Sequence, residues 1–156
     1  MEIINLRQAP QHIPTIARWH FDEWGYLNPG KTLEYRIGRM QRYLGDDAIP
    51  SMLLAVDGNE VLGTAALVES DMDSHPELTP WLASVYIRAD QRGRGLGKQL
   101  VKALMDFASQ QKIPQLYLFT PDQAPFYAKL GWRIVSEETY HDTPVTIMQL
   151  DYPDIA

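Results

Sequence analysis

A chain of 156 residues without cysteine has room for one domain with a real core, and it excludes disulfides, thiolate nucleophiles and cysteine-ligated metal sites. A net charge of -6 argues against a general nucleic-acid binder, while 45% hydrophobic and 22% charged residues are ordinary for a globular protein. The opening MEIINLRQAPQHIP lacks the basic start and apolar run of a signal peptide, and no apolar run reaches the roughly 18 residues of a membrane span, so a cytoplasmic protein without a membrane partner is expected.

In chain order, EIINLR reads as a first strand. Ile13, Ile16, Ala17, His20 and Trp24 then recur at helical spacing, with Pro14 marking the helix start. GYLNPGK is a loop of breakers, and TLEYRIGRMQRYL a second helix capped by Thr32, with Leu33, Ile37, Met40 and Leu44 as its stripe. SMLLAV and VLGTAALVES flank DGNE, whose Asp57-Gly58 step signals a hairpin. DMDSHPELTP is a polar loop, and WLASVYI the fourth strand. A helix through about Gln111 carries Leu96, Leu100, Leu104 and Phe107 on one face. QLYLFT is a strand, APFYAKLG a short helix closed by Gly131, and WRIVSEE and TPVTIMQL pair around a turn at His141-Asp142. The order βααβββαβαββ, over one domain of residues 1–156, predicts an α/β (α+β) mixed sheet with helices packed on it.

Between the fourth strand and the long helix lies QRGRGLG, with three glycines and two arginines in seven residues. A dinucleotide fingerprint fails because Lys98 stands where its third glycine belongs, and a phosphate-binding P-loop fails because Arg92 stands where its first glycine belongs. What remains is R-x-x-G-x-G, spelled Arg92, Gly95 and Gly97. A helix start offers unpaired N–H groups and partial positive charge to an anion. Gly93, Gly95 and Gly97 would let phosphate approach the backbone, and Arg92, Arg94 and Lys98 would add charge. Alone, the loop also fits a bare turn with solvated arginines.

Two motifs make a resemblance specific. The segment from Val85 to Gly97 resembles the acetyl-CoA motif of the GNAT N-acetyltransferase superfamily, V-x-(P)-x-x-R-G-x-G-x-G, with Ala89 at the proline position. Downstream, FYAKLGW resembles that family's F-Y-x-x-x-G-F, with Phe126-Tyr127 followed by Gly131-Trp132. TPDQAPFY departs from the family's N-x-x-A-x-x-[FL]-Y, with Thr120 for the Asn that reaches the CoA arm and Gln123 for the Ala.

The resemblance implies a GNAT-like fold using acetyl-CoA as cosubstrate, with no metal. Pantetheine would lie in a gap between the fourth and fifth strands, paired with backbone near Val85 and Ile87, and the Val85 N–H would polarise the thioester carbonyl. An amine would attack directly in a ternary complex, with Tyr127 as proton donor to the leaving thiolate. The base is sought among Glu69, Asp71, Asp73 and Glu77, with Glu69 the first choice; Ser84 and Tyr86 share a strand face where either would orient water. The acceptor is an amine of open identity: a small amine, an amino acid, an antibiotic or a peptide N-terminus, and the acidic loop favours a cationic one. A homodimer is compatible with the sequence. Trp19, Trp24 and Tyr26 are candidates to line the acceptor pocket, and the four histidines lack metal-ligand spacing. A non-catalytic acyl-CoA-binding module on the same fold would share the glycine loop.

Overall fold

A computed structural model describes residues 1–152. The apolar runs become a seven-stranded sheet: β1 (Glu2–Asn5), β2 (Ser51–Asp57), β3 (Glu60–Val68), β4 (Trp81–Ile87), β5 (Gln115–Thr120), β6 (Arg133–Tyr140) and β7 (Thr143–Asp151). Helices α1 (Ile13–Trp24), α2 (Leu33–Met40), α3 (Leu96–Gln110) and α4 (Ala124–Ala128) fall between them in the expected order. The α2 stripe runs on past Met40, but Gln41–Leu44 tightens into a 3₁₀ turn rather than continuing the α-helix.

The strand order is β1-β2-β3-β4-β5-β7-β6, antiparallel except for the parallel pair β4–β5. Alternation along β2 shows why its sequence reads as an unbroken apolar run. Met52, Leu54 and Val56 join a core under α1 and α2, while Leu53 and Ala55 join a second core under α3. Both faces are buried, so neither needs polar residues. The β2–β3 turn is centred on Gly58 and Asn59, one step past the Asp57-Gly58 signal, with Gly58 at φ +60.

Leu96, Leu100 and Leu104 bury the expected face of α3. Gly63 is what lets that helix sit close. A Cβ there would lie 2.9 Å from the Tyr86 carbonyl oxygen and 3.0 Å from Leu100 Cδ1. The parallel pair has a single registered contact, Trp81 with Tyr117, backed by the Tyr117 N–H donating to the Pro80 carbonyl at 3.0 Å. Beyond it β4 stays on β3 while β5 stays on β7, and the sheet opens.

Candidate active site

The opening between β4 and β5 leads into a cleft of about 820 Å³, walled by α1, α2, β4, the loop after β3 and the start of α4. A bulge in β4 shapes its floor. Register with β3 shifts between Thr64 and Ala66, and Ser84 takes φ 54, a left-handed conformation uncommon outside glycine. The distorted peptide is held from the side: the Thr64 hydroxyl donates to the Ser84 carbonyl at 2.7 Å. That uses the only hydroxyl hydrogen, so the contact at 3.0 Å between His20 Nε2 and Thr64 Oγ1 has His20 as donor. His20 is 1% exposed, and burial, helped by the nearby Arg36 cation, pushes its pKa down to about 3. It is therefore neutral in this relay.

The Arg88 N–H donates to the Leu62 carbonyl at 2.8 Å, which makes those two residues a hydrogen-bonded pair. Antiparallel alternation then turns the Ile87 peptide groups away from β3, and because the Ser84 carbonyl points at Thr64 on β3, the Val85 N–H of the same trans peptide points the other way. The Ile87 carbonyl accepts from Arg92 Nε at 2.9 Å, and the Arg92 guanidinium lies 5.3 Å from the centre of the Tyr86 ring. Tyr86 in turn stacks on Trp19 at 5.2 Å and meets Trp24 edge-on.

At the mouth, Gly93 and Gly95 take φ +79 and +78. Gly95 precedes α3 without a side-chain cap, leaving the helix's first N–H groups without a side-chain acceptor. Gly97 has no positive φ. A Cβ there would meet only Ile87, no nearer than 3.6 Å, an ordinary contact. Neither backbone nor packing explains that glycine. Arg94 and Lys98 are exposed beside it, and Lys98, Lys102 and Lys129 line a shallow neighbouring hollow that shares Phe126 with the cleft.

Of the expected site residues, Val85, Ile87, Arg92, Thr120 and Tyr127 line the cleft, with Gly93, Arg94, Gly95, Gly97 and Lys98 around its mouth. Thr120 Oγ1 accepts from the Asp122 and Gln123 N–H groups at 3.3 and 2.9 Å, organising the turn into α4. Tyr127 is 8% exposed and packs edge-to-face on Phe126 and Trp132. Burial, with a smaller push from Asp122, raises its phenol to about 12. Trp24 lines the cleft, whereas Tyr26 is exposed.

Glu69 sits beside the lining and not on it: its neighbours Val68 and Ser70 line the cleft, and its exposed carboxylate is 3.6 Å from Nη1 of Arg42, another lining residue. Glu77 binds His75, and Asp73, on the lining, binds His141. Asp71 is the loop acid that faces the cleft without a hydrogen-bonded partner among the described residues. Burial pushes its carboxyl up to about 7 despite the opposing Arg42 and Arg36 cations. The sequence signal for it was Met72, an apolar residue in a polar loop: Met72 is 0% exposed, and its insertion into the core carries Asp71 to the cleft wall. Among the described residues no group of three or more His, Asp or Glu side chains converges as a metal site would require.

An open parallel strand pair with a glycine-rich helix start at its mouth makes this a mixed α/β protein whose cleft lies where the sheet parts. The family model described as Acetyltransferase (GNAT) family matches residues 13–132. The chain belongs to that family. Over 96 residues it is 31% identical to N-alpha-acetyltransferase 80 of Mus musculus, covering 56% of this chain and 29% of the mouse protein. Thus it aligns with under a third of that relative's length. Its fold is shared with a ribosomal-protein-alanine N-acetyltransferase from Brucella melitensis, with 16% identity, 97% and 100% of the two chains covered and a TM-score of 0.74. It is also shared with an aminoglycoside 6'-N-acetyltransferase complexed with coenzyme A, with 16% identity, 97% of each chain covered and a TM-score of 0.76.

Proposed function

We propose that this protein transfers acetyl from acetyl-CoA to a primary amine by direct attack in a ternary complex. The observation that carries this is convergence on one cleft: opened strand peptides at Val85 and Ile87, an uncapped glycine-flanked helix start at its mouth, and a buried, protonated Tyr127 on its wall. Pyrophosphate would rest on the α3 start, where Gly97 leaves room that nothing in the protein fills. The Val85 N–H would receive the negative charge growing on the thioester oxygen; losing one such donor typically costs about 3 kcal/mol.

The carbon–nitrogen bond forms as the carbon–sulfur bond breaks, and the amine's proton passes to Asp71, whose raised pKa makes it a competent base near neutral pH. Tyr127 cannot easily give its proton away. With the phenol pushed up to about 12, against about 8.5 for a thiol, full transfer to the thiolate is uphill. Its role is to hold the leaving sulfur in a hydrogen bond.

Thermal unfolding with acetyl-CoA, desulfo-CoA, ATP and NAD tests the cosubstrate. A ligand at about 100 times its Kd adds about 2.7 kcal/mol, so both CoA compounds should raise the midpoint well above the two nucleotides. Thiol release with a panel of amines tests the chemistry: Tyr127→Phe should keep the acetyl-CoA shift while turnover falls roughly tenfold or more. Stabilisation by CoA with no release from any amine would instead mark a non-catalytic acyl-CoA-binding module.

A further inference from the structure

The acidic loop alone favours a cationic acceptor, but the cleft it borders is lined differently. Residues 31–42 contain four cations, Lys31, Arg36, Arg39 and Arg42, and one acid, Glu34. All four cations line the cleft and Glu34 does not. They come from α2 and the residues that flank it. In a chain of net charge -6, that concentration on one wall is a local reversal of sign.

These cations are poorly satisfied within the protein. Arg36 is half-buried and makes no ion pair or side-chain hydrogen bond among the described residues. Burial draws its pKa down, the mark of a charge short of compensation. Arg42 also lines the cleft, and its terminal nitrogens reach only the exposed Glu69 at 3.6 Å and the Tyr43 hydroxyl at 3.5 Å, which leaves guanidinium donors for a group bound in the cleft. Asp71 lies close enough to feel both arginines. On the same wall Asp73 is already engaged by His141, leaving exposed Glu23 as the other acid near α2.

We infer that the acceptor is an amine that also carries a carboxylate: Asp71 faces its amine while Arg36 and Arg42 take the carboxylate. This deepens the acetyltransferase reading and rests on it. Guanidinium groups match a carboxylate in paired hydrogen bonds, and a polycation would meet four like charges at the same wall. The carboxylate can belong to a free acidic amino acid or to an acidic residue beside a peptide N-terminus; both present the same chemistry.

The test uses the intact protein saturated with acetyl-CoA. Thiol release is measured with aspartate and glutamate against their diamides, an Asp-Asp-Gly peptide amide against Asn-Asn-Gly amide, and kanamycin as polycation. Each carboxylate-bearing amine should exceed its amide partner about tenfold or more in kcat/KM, equivalent to about 1.4 kcal/mol. Which pair shows the larger ratio separates free amino acid from peptide. Arg36→Gln should collapse that ratio toward one, with the acetyl-CoA thermal shift retained as evidence of folding. Amides equal to acids, or kanamycin preferred, would overturn the inference while leaving acetyl transfer standing. If no amine is turned over, calorimetry with N-acetyl-aspartate and the N-acetylated acidic peptide on the CoA-loaded protein decides. Binding that weakens in Arg36→Gln supports the inference, and no binding of either overturns it. Failure to bind acetyl-CoA at all would instead strike the underlying acetyltransferase reading.

Discussion

Asp71 and Tyr127 are both shifted upward by burial, with opposite consequences. A phenol raised to about 12 is locked as a donor across the physiological range. A carboxyl raised to about 7 is half-ionised there, so small changes of pH switch it. With acetyl-CoA saturating, kcat/KM for the acceptor should therefore climb through a limb with an apparent pKa near 7. Asp71→Asn should lower kcat by about 100-fold, within the usual range for a lost general base, and abolish that limb of the profile. The expected control is Glu69→Gln, whose exposed side chain lies outside the cleft; it should keep the limb. A profile unchanged in Asp71→Asn would move the proton-accepting role to another group or to solvent.

Among elements, β4 and the loop after it carry most of the proposed site, and they differ in how far the sequence reveals them. The glycine loop was legible because its demands are local: Gly93 and Gly95 supply positive φ, and Arg92 and Lys98 follow at fixed offsets. Gly97 separates ligand from fold. Replacing it with Ala meets no clash and places a better helix former in the first turn of α3, so stability should hold or rise by up to about 1 kcal/mol. Affinity for CoA should nonetheless fall, as calorimetry would show. A drop in stability with unchanged affinity would mean that the glycine serves packing instead. The β4 bulge was not legible. WLASVYI reads as an ordinary strand, and nothing in it announces that Ser84 turns left-handed, because the cause lies on β3 and α1 in Thr64 and His20. Thr64→Val keeps the shape and strips the hydroxyl, leaving the His20 N–H and the Ser84 carbonyl unpaired. A cost of about 1–3 kcal/mol follows in denaturant titration. Because the Val85 N–H belongs to the same peptide group as that carbonyl, kcat should fall further than KM changes.

At the scale of the whole molecule, the loop bearing Asp71 is tied down by two histidines that reach distant strands. His75 contacts Glu77 at 2.9 Å through Nδ1 and Glu138 on β6 at 2.6 Å through Nε2. His141, in the β6–β7 turn, contacts the Leu27 carbonyl and, at 3.1 Å, the Asp73 carboxylate. Every one of these partners accepts, so both nitrogens of each ring must donate, and both rings are imidazolium in this arrangement. Hydrogen bonds to Glu138 and Glu77 raise the His75 pKa, and those to Leu27 and then Asp73 raise that of His141. A histidine raised on folding stabilises fully below its unfolded value, about 6.5, and loses that contribution as pH rises through the folded value. Asp71, raised as well, adds a decline that is still under way at pH 7, whereas buried His20 favours folding as pH rises from about 3 to about 6.5. Across neutrality the two clips and Asp71 thus lose their contributions together. Urea midpoints across that range should decrease more steeply in the native protein than in the His75→Gln, His141→Gln double variant; an equal slope in both would show that neither clip is charged. The same loss has a functional edge. Alkaline pH ionises Asp71 but releases the loop that positions it, so in the double variant KM for the acceptor should already be raised at pH 6, where the native clips are intact.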